Sequence, residues 1–215
     1  MPQFLKSLFL IVTALLPIVN PLGNAPIFLA LTGDSPPGAR LGLAWRIARY
    51  SLFLLLGSLI VGTYVLDFFG VSLPIVQIGG GLIVLSAGWT MLKHEDDQRQ
   101  EIRRGVAPQD AMQKAFYPLT LPLTVGPGSI SVAITLGANA PHAGGSRLIL
   151  ALTAALIGSL IVALTVFLSY AFADRLAALL GPTAMNVIVR LSSFLLTCVG
   201  LQIMWNGLST LLHMV

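Results

Sequence analysis

The sequence predicts an all-α polytopic membrane protein with six transmembrane spans, built from two inverted-topology three-helix repeats. Three observations predict this fold class: an extreme apolar composition, six apolar stretches of membrane-spanning length, and a match between the two halves of the chain. Of the 215 residues, 56% are apolar and 9% are charged, against roughly 45–50% and 25% in an ordinary soluble domain. The mean hydropathy of +0.88 agrees with this composition. A soluble globular protein is therefore excluded.

Six apolar stretches reach the length of about 20 residues that an α-helix needs to cross the hydrocarbon core. They cover residues 4–32, 47–66, 73–92, 116–137, 148–170 and 187–212. The first stretch resembles a secretory signal, but no A-x-A-like cleavage site follows it, and Pro17, Pro21 and Pro26 lie within it. We therefore interpret it as the first span.

The basic residues predict the orientation of the spans. Ten of the twelve Lys and Arg residues fall in the connections after the first, third and fifth spans, whereas Lys6 and Arg147 fall on the opposite side. By the positive-inside rule, those three connections are cytoplasmic and both termini lie outside. The same residues form no basic stripe, so nucleic acid is not an expected partner.

An internal repeat becomes visible when each residue is aligned with the one 101 positions later. The string GSLIV at residues 57–61 recurs at residues 158–162, and the proline motif PIVNPLGNAP at 17–26 falls on PLTLPLTVGP at 118–127. The third and sixth spans match more weakly, at an offset of 113. Three spans per repeat give the second repeat the opposite orientation, a construction shared by many secondary transporters.

This repeat predicts the organisation of the chain. Residues 1–92 form the first three-span repeat and residues 115–215 the second, inverted one. Residues 93–114, which are rich in charged and polar side chains, form a cytoplasmic connector between them.

The proline motif predicts that the first and fourth spans are broken. Each proline inside a helix removes a backbone donor and clashes with the preceding turn, at a cost of about 3 kcal/mol. Non-helical backbone at membrane depth is tolerated only where it is buried in protein or lines a wet cavity. We expect a new half-helix after each break, with Asn24 as the N-cap in the first repeat and Gly126 capping Pro127 in the second.

The two breaks are the predicted substrate site. Free N–H groups at a half-helix start suit a carboxylate, and unpaired carbonyls at the preceding half-helix end suit an ammonium group or a cation. The predicted substrate-binding residues are Asn20, Pro21, Gly23, Asn24, Ala25, Pro26, Pro122, Thr124, Gly126, Pro127, Gly128 and Ser129. Simple kinks in two packed helices are the alternative interpretation, and the symmetry of the two breaks favours a site.

The composition predicts neither an enzyme nor a cofactor. Eight acidic residues, three histidines and one cysteine supply no paired acids, metal cluster or nucleophile with a base inside a span. Asp67 and Asp174 lie at the ends of apolar runs, so a proton relay through a buried acid is not expected. Sodium held by backbone carbonyls at the breaks stays open as a coupling ion. The glycines at 79–81 lack the strand context of a nucleotide fingerprint and indicate close helix packing or a hinge.

Three segments carry a family resemblance: IVNPLGNAPIFLALT in the first span, IGGGLIVLSAGWTML in the third and PLTLPLTVGPGSISVAITL in the fourth. They closely resemble the MarC family of bacterial and archaeal integral membrane proteins, and the resemblance covers essentially the whole chain. It implies a small multi-pass protein of the inner membrane. It also implies similarity to a transporter of small neutral amino acids that handles glycine and alanine.

Together, these patterns predict a secondary transporter of small neutral amino acids, with the substrate held between the two broken helices. The alternatives are a structural or regulatory membrane protein without transport, and an exporter of another small neutral metabolite. The expected partners are the amino acid and the lipid bilayer. The direction of transport and the formation of a homo-oligomer stay open.

Overall fold

The computed structural model describes residues 2–33, 35–93, 115–140 and 145–214. Within these ranges the chain forms helices and no strand, which confirms the predicted all-helical fold. In chain order the helices are α1 (Pro2–Val19), α2 (Pro21–Thr32), α3 (Pro37–Phe69), α4 (Leu73–Lys93), α5 (Phe116–Thr124), α6 (Pro127–Ala138), α7 (Ser146–Ala171) and α8 (Ala173–Met214). Residues 94–114 of the predicted connector lie outside the described residues.

Five helical stretches are long and apolar enough to cross a membrane. They cover residues 3–32, 38–69, 73–93, 147–171 and 183–213, which correspond to the predicted first, second, third, fifth and sixth spans. The predicted fourth span contains two short helices instead, α5 of nine residues and α6 of twelve. Each of these is too short to cross the hydrocarbon core by itself.

Large apolar side chains cover the outside of the helices. Phe53, Phe68 and Trp205 are 69%, 84% and 60% exposed. An apolar surface of this kind would promote aggregation in water, but it is the normal surface of a protein whose solvent is lipid.

The first break lies at Asn20, between α1 and α2. Asn20 adopts a left-handed conformation (φ 46°, ψ 55°) and is the N-cap of α2, and Pro21 is the first helical residue. The prediction that Asn24 caps this helix is wrong, because Asn24 and Pro26 both lie inside α2. Asn tolerates the left-handed region better than most residues, and a proline at the first helical position sacrifices no hydrogen bond, so the helix begins at the earlier proline.

The second break is longer than the first. α5 is an irregular segment rather than a continuous helix. Its dihedral angles are extended at Tyr117 and Leu121, and the peptide bond between Leu121 and Pro122 is cis. Gly126 is the N-cap of α6 and Pro127 its first residue, as predicted. Since Pro127 aligns with the Pro26 that lies within α2, the two motifs match in sequence but differ in local structure.

α8 is divided by a kink before the last long apolar stretch. Gly181 has φ 71° and ψ 170°, a conformation that essentially only glycine adopts. Residues 173–180 of α8 precede this kink. The repeat offset rises from 101 to 113 between the fifth and sixth predicted spans, and these residues lie in that interval. An ion pair ties this segment to the start of α3, because Arg40 Nη1 lies 2.6 Å and 2.7 Å from the two carboxylate oxygens of Asp174.

The broken segments pack against helices of the other half of the chain. α1 contacts α7, and α2 contacts α7 and α8; reciprocally, α6 contacts α3 and α4. α4 and α8 pack closely through glycines, since a Cβ built on Gly81 would lie 2.6 Å from the Met204 amide nitrogen. The prediction of close packing is confirmed for Gly80 and Gly81, whereas Gly79 faces open space.

Candidate functional site

A cavity of about 430 Å³ lies between the two breaks. Eight of the twelve predicted site residues line it: Asn20, Asn24, Pro122, Thr124, Gly126, Pro127, Gly128 and Ser129. The folded chain therefore brings the two proline motifs, one from each half, to one place. The volume falls within the range of roughly 300–1,000 Å³ that is usual for small-molecule sites.

The other four predicted site residues lie in α2 and do not line the cavity: Pro21, Gly23, Ala25 and Pro26. The Asn20 side chain folds over Gly23, where a Cβ would lie 2.6 Å from Asn20 Oδ1. Glycine at this position thus permits the cap that starts α2.

Most of the remaining wall is apolar, and sequence reasoning does not find it. Its members are Ile18, Ile27, Leu31, Ile83, Val84, Ala87, Met91, Leu123 and Leu196, together with the hydroxyl-bearing Thr90. Residues 83, 84, 87, 90 and 91 have the spacing of one helical face. The other faces of α4 are apolar too. The sequence therefore contains no polar face against which this cavity-lining face could be recognised.

Asn24 connects the two breaks. Its buried side-chain Nδ2 donates one hydrogen bond to the carbonyl of Val19, at the end of α1, and another to the carbonyl of Leu123, in α5; both measure 3.0 Å. The sequence predicts unpaired carbonyls at the ends of the half-helices that precede the breaks. In the structure these two carbonyls accept from Asn24 instead. Asn24 Oδ1 has no hydrogen-bond partner in the described part of the chain.

Asn20 accepts hydrogen bonds from two backbone N–H groups at the start of α2. Its Oδ1 accepts a hydrogen bond from the Gly23 N–H at 3.2 Å, and its backbone carbonyl accepts from the Asn24 N–H at 3.0 Å. The remaining side-chain atom, Nδ2, is buried and has no partner among the residues that the structure describes.

The start of α6 lacks a side-chain cap of this kind. No side chain caps it, and its first backbone hydrogen bond runs from the Ile130 N–H to the Gly126 carbonyl at 3.2 Å. Pro127 has no N–H, so the N–H groups of Gly128 and Ser129 precede the hydrogen-bonded turn and carry the positive end of the helix dipole. Gly128 also allows α6 to approach α4, because a Cβ there would collide with Val84.

Thr124 links the cavity to a buried aromatic pair. Its hydroxyl donates to the Leu119 carbonyl at 2.7 Å and lies 2.9 Å from the Tyr170 hydroxyl. Since the single Thr124 hydrogen is used in the first bond, Tyr170 is the donor in the second. The Tyr170 ring stacks on Phe28 of α2, with ring centroids 4.5 Å apart and planes 5° apart. Thr124 at the second break and Phe28 of α2 therefore both contact α7 through Tyr170.

The described lining of the cavity is mostly apolar and neutral. Amide groups, a few hydroxyls and backbone atoms provide its hydrogen-bonding capacity, and none of the lining residues that the structure describes carries a charge. Such a lining can orient a polar ligand, but it offers no counter-ion for a net charge.

Comparison with known proteins covers nearly the whole chain. A family model described as MarC family integral membrane protein matches residues 5–212. The inner membrane protein MarC of Salmonella typhimurium (strain LT2) is 30% identical over 212 residues, which is 96% of each chain. A membrane protein of Methanocaldococcus jannaschii is 28% identical over 204 residues, 95% of this chain and 97% of its own. No solved structure matches the chain.

Proposed function

Because the chain belongs to the MarC family of integral membrane proteins, we propose that it is a secondary transporter of small neutral amino acids, with glycine and alanine as the expected substrates. It is a multi-pass protein of the inner membrane, in keeping with its long apolar helices and the names of its relatives. The transported molecule occupies the cavity between the two breaks.

The observation that carries this proposal is the neutral cavity at which the two interrupted helices meet. Irregular backbone at membrane depth is maintained where it serves a buried or wet site, and here both interruptions meet at one cavity. An unpaired charge at the bilayer centre costs at least about 2.5–3.5 kcal/mol on insertion scales. A ligand with no net charge suits this lining best, and a zwitterion also uses its hydrogen-bonding groups.

Reciprocal packing supports the inverted-repeat part of the proposal. In the alignment of the two halves, α6 aligns with α2, and α3 and α4 align with α7 and α8. The contacts of α2 with α7 and α8 therefore correspond to those of α6 with α3 and α4. In this scheme α5 and α6 together form the fourth of six spans. Alternating access then arises when one repeat moves against the other around the fixed site.

The position of the cavity suggests which side the site faces. Its lining extends from the breaks to Leu31 and Met91, near the ends of α2 and α4. Those ends are cytoplasmic in the predicted orientation. The described conformation is accordingly the inward-facing state of the proposed cycle.

Counterflow in proteoliposomes tests the proposal. Vesicles preloaded with unlabelled alanine should accumulate labelled alanine, with competition by glycine and serine but not by lysine, glutamate or tryptophan. Measurements with and without a sodium gradient determine whether sodium is the coupling ion. If no amino acid exchanges, and none raises the unfolding temperature of the purified protein as a ligand of the folded state should, the non-transport alternative is favoured.

A further inference from the structure

We propose, as a consequence that rests on the function above, that the starts of α2 and α6 have different tasks. The substrate carboxylate binds the free N–H groups at the start of α6, to which the first break adds only the Asn20 side chain through Nδ2, and the substrate ammonium group binds Asn24 Oδ1. The sequence alone predicts equivalent roles for the two half-helix starts.

The backbone at the start of α2 presents no free N–H group to the cavity. Pro21 lacks an N–H, Gly23 N–H donates to Asn20 Oδ1 at 3.2 Å, and Asn24 N–H donates to the Asn20 carbonyl at 3.0 Å. The exposed Leu22 lies outside the cavity lining. The start of α2 therefore offers no unpaired backbone N–H to the cavity.

The second break keeps its donors. The N–H groups of Gly128 and Ser129 come before the first hydrogen-bonded turn of α6, and both residues line the cavity. α6 has twelve residues, enough for an established helix dipole. An anionic group in the cavity can accept from these N–H groups, as anions do at other helix starts.

Asn20 Nδ2 provides the second, independent indication of a ligand. Asn20 is 9% exposed and lines the same cavity, and its Nδ2 has no partner in the described residues. Buried polar atoms are nearly always paired, so an unpaired buried donor indicates an acceptor that arrives from outside the chain. A carboxylate has two oxygens that accept several hydrogen bonds, and bonds to a charged acceptor are the stronger kind.

The ammonium group has one evident acceptor at the junction of the two breaks. The Val19 and Leu123 carbonyls already accept from Asn24 Nδ2, whereas Oδ1 of the same side chain is unpaired among the described atoms. A zwitterion bound in this way lies between Asn24 and the start of α6.

Asn20→Asp is the sharpest test of the carboxylate site. Aspartate keeps an oxygen for the Gly23 N–H and tolerates the left-handed conformation, but it replaces the unpaired donor with a negatively charged acceptor. We expect alanine to bind at least tenfold more weakly, while L-alaninamide, which lacks the carboxylate, is not weakened. Ligand-induced shifts in unfolding temperature and competition in counterflow measure both affinities. Asn139→Asp, the same change at the exposed C-terminal end of α6, is the matched control and should bind alanine normally.

Asn20→Gly provides a second variant, in case the buried aspartate impairs folding. Glycine adopts the left-handed conformation readily and is a fair N-cap. The loss of one donor to a charged group should weaken alanine binding by about tenfold or more. Unchanged alanine affinity in this variant would overturn the inference. Equal affinity of the wild-type protein for L-alaninamide and alanine would also overturn it. Neither result would affect the proposed transporter function. Absence of alanine binding to the wild type would overturn the proposed function, and this inference with it.

Discussion

The side-chain nitrogen of Asn24 lies 3.0 Å from the carbonyl oxygen of Leu123, 99 residues away in the chain. The same nitrogen donates to the Val19 carbonyl at 3.0 Å. One buried amide therefore fixes the relative position of the two breaks and, with it, the width of the cavity between them. Any movement of one proline motif against the other requires the bond to Leu123 to rearrange, because Val19 and Asn24 belong to the same motif.

Replacement of Asn24 by alanine should destabilise the protein as well as alter its site. The change leaves two carbonyls without their donor, and a buried polar group left unpaired costs about 1–3 kcal/mol. Unfolding of the purified protein in detergent, followed by temperature or denaturant, measures the loss. Asn139→Ala is the control, because the single side-chain bond of Asn139 to the Thr135 carbonyl is exposed, and its effect should stay within about 0.5 kcal/mol. Equal losses in the two variants would contradict a bridging role for Asn24.

The same pair explains how far the site can be predicted from the sequence. Prolines report helix breaks through local sterics, so the positions of both breaks and the cap at Gly126 can be read from the motif. The choice between Asn20 and Asn24 as N-cap cannot, because either asparagine precedes a proline closely. The Asn24 side chain is instead bonded to the carbonyl of Leu123, 99 residues away, and a contact at that separation cannot be read from the motif.

The apolar part of the cavity shows a second limit of prediction. Amphipathic contrast identifies a buried helical face when the opposite face is polar. A lipid-facing surface is as apolar as a core, so α4 offers no such contrast, and Ile83, Ala87 and Met91 carry no local mark of their position. Their place at the cavity becomes visible only through the packing of α4.

Two glycines two positions apart in α4 should respond in opposite ways to alanine. A Cβ on Gly81 would lie 2.6 Å from the Met204 amide nitrogen, so α4 and α8 must separate, whereas Gly79 has nothing within 4 Å. We expect Gly81→Ala to lower the free energy of unfolding by about 1–3 kcal/mol, as overpacking does. Gly79→Ala should be neutral or raise it by up to about 1 kcal/mol through helix propensity. Similar denaturation midpoints for both variants would show that the glycine contact is not close.

The hydrogen bond between Tyr170 and Thr124 should be measurable as a coupling energy. Tyr170→Phe retains the stacked ring on Phe28 and removes only the hydroxyl, and Thr124→Val removes its acceptor. In a double-mutant cycle on unfolding stability, the bond to Leu119 cancels because it is lost in both Val-containing variants. We expect a coupling of about 1 kcal/mol. Strict additivity of the two changes would show that the 2.9 Å contact contributes nothing.

The ion pair between Arg40 and Asp174 permits a test of orientation. It places the starts of α3 and α8 on the same side of the protein, and the excess of basic residues predicts that this side is cytoplasmic. Residues 94–114 lie outside the described part of the chain, so the exposed Gly38, beside this pair and with open space around it, is the better position for a probe. In a Cys198→Ala background, His213→Cys near the end of α8 should react with an impermeant thiol reagent in intact cells, and Gly38→Cys only after permeabilisation. The reagent cannot cross the bilayer, so labelling of Gly38→Cys without labelling of His213→Cys in intact cells would reverse the orientation and make the described conformation outward-facing.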